Sequence, residues 1–464
     1  MRLSARLFRA LGWCAAVIGA SAAPFIAIAG VEGDDAGARG FVVTTVTGLF
    51  LGGAILAGTA GLTRPAGAAA ALRLAFYGWL LVPLLAAPPL AATAGGAVQG
   101  VFEAYAAMTT TGAVLGALEE TSRAIVLWRS YLAWLGGLAS LVLAATVFAA
   151  LDRRGVGLRR TSLLTVERAD LFTNFGRAFR RLGVVYGLVT ALGAVMLMIT
   201  GAAPFDAVCL ALSGVATAGL APQAGPLSEW LPPASILILA ALCLAGAWNF
   251  AVLYEWLSRF RLQRGTGELR AMTAIAGVCG VGAMAFAGIG SVPAGVLDGL
   301  FAITTAGYQT AATSPVPVTV LLLLAFIGGS TISTSGGVKM PRILLLLRRA
   351  GGELSLLSHP SAAVRTRFAG RSVFDEALAG VWVYALAFPV ALGFGAVAIA
   401  LGGAGFEPAW RTAAASLSNM GPPAAADFAQ LPPASLLVSA VLMIAGRLEV
   451  LAAAAAIYVI FARD

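Results

Sequence analysis

The sequence predicts an all-α polytopic membrane protein of about ten transmembrane helices, with two leading helices and four pseudo-repeated units around one pore. Of its 464 residues, 59% are hydrophobic and only 11% are charged, whereas soluble domains carry roughly 25% charged residues. Ten apolar segments, one of them interrupted, are long enough to span a bilayer, which takes about 20 residues. Four shorter segments rich in Ala, Thr and Gly lie between them.

The first two apolar segments, 11–30 and 41–62, form the leading pair of helices. Arg2, Arg6 and Arg9 precede the first of them, and this order also fits a cleaved signal peptide. However, segment 11–30 continues past its small residues and is long enough to span. We therefore predict a retained first helix.

The rest of the chain repeats one unit four times: a span, a short segment and a second span. The spans are 71–93, 126–150, 183–202, 233–257, 271–291, 317–329 with 340–347, 376–402 and 433–461. The short segments are about 100–112, 205–219, 296–308 and 407–421. Because they are too short to cross, they predict re-entrant half-helices. The leading pair occupies 1–66 and the units occupy 67–152, 153–264, 265–350 and 351–464.

The placement of arginines predicts the orientation. One set of connections carries the basic clusters Arg153–Arg160, Arg177–Arg181, Arg259–Arg270 and Arg342–Arg371. The intervening connections are mainly acidic. Because basic loops stay in the cytoplasm, we expect a multi-pass plasma-membrane protein with both termini cytoplasmic. All four half-helices then enter from the outside.

Each short segment ends in a strip of residues that contains a glycine. The strips are Thr109–Ala113, Ala216–Leu220, Thr304–Tyr308 and Ser418–Pro422, with Gly112, Gly219, Gly307 and Gly421 as their glycines. Glycine permits backbone dihedrals that turn successive carbonyls toward one axis, and carbonyl oxygens can replace the water shell of K⁺. Residues predicted to bind K⁺ are Thr110, Thr111, Thr217, Ala218, Thr305, Ala306, Asn419 and Met420.

Charge considerations favour a monovalent cation. Each half-helix leaves its carbonyl end, with roughly half a negative charge, near the membrane centre. The strips contain no Asp or Glu, which a filter for divalent ions would favour. Glu103, Asp206 and Glu407 lie near the half-helix starts, either as first-turn residues or to concentrate cations at the outer mouth. A single strip could serve helix packing alone, but four strips on one side favour the filter.

A run of small and polar residues interrupts the second span of the third unit, and we expect a break in no other second span. The run predicts a gating loop formed by Gly328, Gly329, Ser330, Thr331, Ser333, Thr334, Ser335, Gly336, Gly337 and Lys339. A charge within the membrane is a functional candidate, so we expect Lys339 to tune cation occupancy below the filter. The alternative is that Lys339 extends to the cytoplasmic interface.

Other functions lack the residues they need. Four scattered cysteines without a CxxC pair, and one histidine, His359, argue against zinc or redox sites. Nothing indicates nucleic-acid binding, and no nucleophile–base or metal constellation indicates an enzyme. A transporter of an organic solute is the other alternative, but the repeats are parallel and no polar cluster would hold such a substrate.

At these residues the chain resembles the Trk/Ktr/HKT superfamily of potassium transporters, and its ten-span Trk branch in particular. The similar stretches are Phe102–Ala104, Thr109–Ala113, Trp128–Ser130, Trp134–Gly137, Phe326–Gly329, Gly336–Lys339, Ser418–Pro422 and Gly446–Glu449. They cover all four units, roughly residues 70–464, whereas the leading helices fit by position only. The resemblance implies potassium uptake across a bacterial inner membrane. The alternative within the same fold is a sodium-permeable or cation-coupled secondary transporter.

The resemblance also implies partners. It implies a homodimer with one pore per protomer, contact with membrane lipid, and a cytosolic regulatory ring that binds nucleotides. This chain has no glycine fingerprint for nucleotide, so we expect any nucleotide control to come from a partner. We expect K⁺ as its ion and no organic cofactor in this chain. Segment 350–372 is either a contact surface for the ring or a solvated linker.

Two further features bear on these expectations. Four residues depart from the family pattern, and the departures affect the expected selectivity for potassium over sodium. They are Ala106, Ala107, Ala218 and Met420. Charges within the membrane usually pair, as we expect for Arg447 and Glu449 in the last span and for Glu407 with Arg411.

Overall fold

A computed structural model describes residues 5–61, 68–148, 171–259, 267–359, 367–368, 371–372 and 375–461. Within these ranges the chain is almost entirely helical. One short antiparallel pair joins β1 (Arg367–Phe368) to β2 (Arg371–Ser372). The predicted all-α class is confirmed.

The helices follow the order of the predicted segments. In the first half of the chain they are α1 (Ala5–Val31), α2 (Asp35–Gly58), α3 (Ala68–Ala86), α4 (Pro88–Ala91), α5 (Ala97–Met108), α6 (Arg123–Leu143), α7 (Leu171–Ile199) and α8 (Pro204–Val215). In the second half they are α9 (Leu227–Trp230), α10 (Pro233–Ala247), α11 (Phe250–Arg259), α12 (Glu268–Ala287), α13 (Val292–Ile303), α14 (Val318–Ile327), α15 (Met340–Ser358), α16 (Asp375–Leu401), α17 (Phe406–Ser418), α18 (Ala425–Ala429), α19 (Pro433–Arg447) and α20 (Val450–Phe461). A π-helical turn, Ala144–Phe148, follows α6.

Within the described ranges, six helices are long and apolar enough to span a membrane: α1, α2, α6, α7, α12 and α16. Helices α10 and α11 together make a seventh span that is bent by 103°. The other three predicted spans correspond to shorter helices, namely α3, α14 followed by α15, and α19 followed by α20.

The expectation of a single broken span is wrong, because the second spans of units two and four are also interrupted. In unit two, the amides of Ser330 and Thr334 donate to the carbonyls of Ala247 (2.8 Å) and Gly246 (3.0 Å) at the end of α10. The predicted gating loop thus caps carbonyls that would accept intrahelical hydrogen bonds in a continuous helix. In unit four, Glu449 has a φ of +59°, which an α-helix excludes.

The leading pair packs closely through glycines and attaches to unit one through aromatic rings. A Cβ added at Gly19 would lie 2.7 Å from the amide nitrogen of Leu49, so only glycine permits this approach of α1 to α2. Phe25 and Phe41 both pack edge-on against Trp128 of α6, at centroid distances of 5.1 and 5.6 Å. These contacts fix the pair against the outside of unit one.

The predicted unit boundaries stay a prediction. Those at 66/67, 152/153 and 264/265 lie outside the described residues, as does the basic cluster Arg153–Arg160. The boundary at 350/351 falls inside the continuous helix α15.

Candidate cation filter and gate

Four short helices end at the four predicted strips. Helices α5, α8 and α13 have 12 residues each and α17 has 13, and each lies where the sequence predicts a half-helix. Because each strip follows its helix immediately, the carbonyl end of every short helix lies beside a strip. This arrangement brings four partial negative charges together with the strips.

The residue two positions before each strip glycine has a left-handed backbone. The φ angles are +58° at Thr110, +53° at Thr217, +62° at Thr305 and +54° at Asn419. This region is rare for β-branched residues. Such a conformation costs on the order of 1–3 kcal/mol and persists only where the surrounding structure enforces it. Sequence reasoning did not foresee this shared strain, because threonine propensities argue against it.

Three of the four strip glycines need their conformational freedom, as predicted. Gly112, Gly219 and Gly307 have φ angles of +72°, +71° and +72°. The prediction is wrong for Gly421, whose φ is −82°, because Gly421 is the N-cap of the 3-10 turn Pro422–Ala424. Glycine is required there for space, since a Cβ would lie 2.6 Å from the carbonyl oxygen of Thr111.

The strips touch one another in a closed ring. A Cβ added at Gly112 would lie 1.7 Å from the Ala218 carbonyl oxygen, and one at Gly219 would lie 1.9 Å from that of Ala306. The third strip meets the fourth, since a Cβ at Gly307 would lie 2.8 Å from Met420 Cγ. The amide of Gly421 closes the ring by donating to the Thr111 carbonyl at 2.6 Å.

The strips leave oxygen atoms without hydrogen-bond donors. Their amides donate back to their own short helices, as Gly112 N does to Ala106 O (3.0 Å) and Met420 N does to Ala415 O (2.9 Å). Of the eight residues predicted to bind K⁺, only Thr111 has a carbonyl bonded by a donor among the described residues. The hydroxyl of Thr110 is also buried, and no described residue bonds to it. Such oxygens are suited to replace a cation's water shell.

The predicted gating loop lies against three of the strips. The hydroxyl of Thr334 is 3.3 Å from that of Thr217, and the amide of Gly336 donates to the Thr305 hydroxyl at 2.9 Å. A Cβ added at Gly336 would lie 2.0 Å from the Ser418 carbonyl oxygen. The loop is therefore packed against the helix-end side of the ring.

Lys339 is folded into this loop. Its side chain is buried, and its Nζ lies 3.3 Å from Ser333 Oγ and also donates to the Ser335 carbonyl. The ammonium group therefore does not extend to the exterior, contrary to the interfacial alternative. Arg447 and Glu449 line the same small cavity beside the loop.

Comparison with known proteins assigns this chain to one family. The TrkH family, described as cation transport protein, matches residues 76–272 and 288–463. The chain belongs to this family. TrkH-family members are transporters and not enzymes. The potassium uptake protein TrkH of Halomonas elongata is 29% identical over 393 residues, covering 80% of this chain and 81% of that protein.

A second sequence relative and a solved structure, both TrkH of Vibrio parahaemolyticus, agree with the assignment. TrkH of Vibrio parahaemolyticus is 30% identical over 373 residues, covering 75% of this chain and 76% of that protein. The crystal structure of the potassium transporter TrkH from Vibrio parahaemolyticus matches with a TM-score of 0.85 and 24% identity, covering 99% of this chain and 98% of that one. At this identity the structural likeness shows the fold alone. The predicted family resemblance is confirmed.

The carboxylate of Glu103 in this TrkH-family chain is neither a first-turn residue nor placed to concentrate cations at the outer mouth, the two roles that the sequence predicted. It lies in the middle of α5 with 1% of its surface exposed, and it accepts bonds from Arg129 Nη2 (2.7 Å) and the Leu115 amide (2.8 Å). Glu103 therefore anchors the chain that leaves the first strip. Asp206 and Glu407 do lie in the first turns of α8 and α17.

Sequence reasoning missed the matching residue in unit three, Asp298. It is buried in α13 and accepts bonds from the Thr310 amide (3.1 Å), the Thr310 hydroxyl (2.5 Å) and Ser314 Oγ (2.5 Å). Glu103 and Asp298 each precede a strip glycine by nine residues, 112 − 103 and 307 − 298. That shared spacing is the signal that could have revealed both anchors.

The charges near the break in the last span pair with other elements. Glu449 accepts a bond from Arg342 Nη2 at 2.6 Å, and Arg447 Nε donates to Ser140 Oγ at 2.5 Å. Arg342 also lies 4.2 Å above the ring of Tyr384. Arg447 and Glu449 therefore connect the break to α6 and α15.

Glu407 and Arg411 form the predicted ion pair with each other. The carboxylate is largely exposed, however, with 69% of its side-chain surface accessible. The pair is therefore not the buried one that the sequence predicted.

Proposed function

We propose that this chain carries K⁺ across the plasma membrane, with the ring of four strips as its selectivity filter. The observation that carries the proposal is the closed ring, at which four helix ends meet carbonyl oxygens that, except for that of Thr111, have no donor among the described residues. In this filter, Thr110, Thr217, Thr305 and Asn419 form one layer of ligands. Thr111, Ala218, Ala306 and Met420 form the next layer. The names of the Halomonas and Vibrio relatives, which are potassium uptake proteins, support K⁺ as the ion.

The loop Gly328–Lys339 is the gate in this proposal. Its hydrogen bonds to Thr217 and Thr305 hold it across the helix-end side of the ring. An ion leaving the filter toward the cytoplasm has to pass these residues. Lys339 places a cationic group in the loop, which lowers cation occupancy there while the loop stays in place.

The cellular setting is also part of the proposal. The arginine distribution supports an orientation with both termini cytoplasmic. The family resemblance supports the bacterial inner membrane as the location. The family resemblance supports a homodimer in contact with membrane lipid and with a cytosolic nucleotide-binding ring. Segment 350–372 would contact that ring, and Leu354 and Leu357 in its described part are 65% and 80% exposed.

A sodium-permeable or cation-coupled transporter of the same fold is the second candidate. It is favoured by the residues that depart from the family pattern within the filter. Ala218 stands where a glycine is frequent, and the buried side chain of Met420 packs against Gly307. Both positions alter the packing behind the ion ligands, on which discrimination between K⁺ and Na⁺ depends.

The decisive experiment is uptake of radioactive rubidium into liposomes that contain the purified protein. Potassium, sodium and choline serve as competitors, because each tests one class of cation. Strong inhibition by potassium and weak inhibition by sodium is the expected result. Equal inhibition by both would favour the sodium-permeable candidate instead.

A matched variant separates a closed gate from a wrong function. Protein with part of 330–335 deleted should take up rubidium even if the full-length loop seals the pore in the absence of a partner. Failure of both proteins to take up rubidium, when both are correctly inserted, would refute the proposed function.

A further inference from the structure

The residue that follows the third strip glycine reaches across to the second unit. Tyr308 is buried, and its hydroxyl donates to Ser213 Oγ of α8 at 2.7 Å and lies 3.3 Å from the Leu220 carbonyl oxygen. The ring of Tyr308 packs edge-on against Phe301 at a centroid distance of 5.3 Å. The aromatic contact fixes the ring and thereby directs the hydroxyl toward the second unit.

Ser213 joins the two strips through a single oxygen atom. Besides the hydrogen bond from the Tyr308 hydroxyl, Ser213 Oγ accepts one from the backbone amide of Leu220 at 2.8 Å. Leu220 directly follows the second strip glycine. Ser213 itself is fully buried in a regular helix. Its hydroxyl oxygen therefore sets the positions of the second strip and of the third strip relative to each other.

This connection matters because the ring is bonded unevenly. The fourth strip is tied to the first by Gly421 N to Thr111 O (2.6 Å) and by Asn419 Nδ2 to Thr111 Oγ1 (3.2 Å). Within the described residues, the first and second strips, and likewise the third and fourth, touch without a hydrogen bond between them. In the other strips the residue after the glycine is Ala, Leu or Pro, none of which has a hydroxyl.

We propose that Tyr308 and Ser213 form a strut that determines cation specificity by holding the second and third strips at a fixed separation. Both are positioning residues, because they act through the carbonyls of Ala218 and Ala306 and do not touch the ion. Those strips are in tight contact at this junction, where a Cβ at Gly219 would lie 1.9 Å from the Ala306 oxygen. Without the strut, the junction relaxes and the site adapts to a smaller ion. The proposal rests on the proposed function.

The test measures cation binding without requiring an open gate. Purified protein in choline buffer is titrated with KCl or NaCl, and the concentration that gives half of the maximal rise in melting temperature is determined for each salt. A bound cation stabilises the folded state according to its affinity. The wild type should respond at lower K⁺ than Na⁺. The selectivity ratio is the Na⁺ midpoint divided by the K⁺ midpoint. In Tyr308→Phe this ratio should fall about two- to tenfold, because the free energy of one hydrogen bond corresponds to that range.

Three variants complete the design. Ser213→Ala should lower the ratio similarly, and the double variant should be no worse than the more affected single one. Tyr105→Phe is the matched control, since the Tyr105 hydroxyl donates to the Leu80 carbonyl of α3 (2.6 Å) and to no residue of the strips among the described residues. It should keep the wild-type ratio even if its melting temperature falls. If Tyr308→Phe does not fold, Ser213→Ala alone decides.

The two levels of the proposal fail in different ways. Wild-type ratios in both Tyr308→Phe and Ser213→Ala would overturn the strut and leave the filter standing. A wild type that responds equally to K⁺ and Na⁺ would overturn the selective filter, and the strut with it. An equal loss of ratio in Tyr105→Phe would show a general effect of destabilisation and would also overturn the strut.

Discussion

Serine at Gly112 should damage the filter more than serine at Gly307, although both glycines have a φ of +72°. A left-handed backbone costs an L-residue roughly 1–2 kcal/mol at either position. The two sites differ in what the new Cβ meets. At Gly112 it meets the backbone oxygen of Ala218 at 1.7 Å, and at Gly307 it meets the flexible side chain of Met420 at 2.8 Å.

The size of the displacement follows from these distances. Real Cβ contacts are essentially never closer than 3.0 Å, so the Ala218 carbonyl and the serine have to separate by at least 3.0 − 1.7 = 1.3 Å. A ligand of a metal site is expected within about 0.2 Å of its usual distance from the ion. Gly112→Ser therefore removes at least one ligand from the ring. Met420 can yield by changing rotamer, so Gly307→Ser moves the strips less.

Rubidium uptake into liposomes, with potassium and sodium as competitors, measures the consequence. We expect the preference for K⁺ over Na⁺ to fall about tenfold or more in Gly112→Ser, which is roughly 1.4 kcal/mol. The loss in Gly307→Ser should be about threefold. Both variants should insert and fold, because the contacts they disturb lie within the ring. An unchanged preference in Gly112→Ser, or a larger loss in Gly307→Ser, would refute this reasoning.

Two other perturbations give distinct outcomes. Thr334→Val removes the loop hydroxyl beside the second strip and should raise rubidium flux severalfold. Thr331→Val in the same loop is the control and should leave the flux unchanged, because the Thr331 hydroxyl has no partner among the described residues. Equal flux in the two variants would count against the loop as gate. Glu103→Ala leaves Arg129 buried and unpaired, so the free energy of unfolding in denaturant should fall by about 3–5 kcal/mol. The exposed Glu407→Gln should change that free energy by less than about 1 kcal/mol, and similar losses in the two would contradict the anchoring role of Glu103.

The sequence predicted the helical class, the four short helices and the positions of the strips, because apolar run lengths and glycine spacing reflect local chemistry. It did not predict the left-handed threonines. Thr110, Thr217 and Thr305 adopt a conformation that their own propensities oppose, and tertiary contacts enforce it. No reading of a single strip could show this.

Sequence analysis predicted the break in unit three but not those in units two and four. It also did not find the partners of Arg447 and Glu449, since the contacting residues are distant along the chain. The break after α10 depends on amides of Ser330 and Thr334 some 80 residues later. The pair of Arg342 with Glu449 joins residues 107 apart. Asn249 and Glu449 within otherwise apolar runs were the available signals, and polar residues at such depth indicate a break or a partner.

The central claim is that a dehydrated monovalent cation binds within the ring of four strips. Anomalous diffraction from crystals soaked in rubidium tests it most directly, because the ion itself is located. The account predicts a peak enclosed by Thr110, Thr217, Thr305 and Asn419, which weakens when potassium is added and persists when sodium is added. Rubidium bound elsewhere, with none inside the ring, would contradict it.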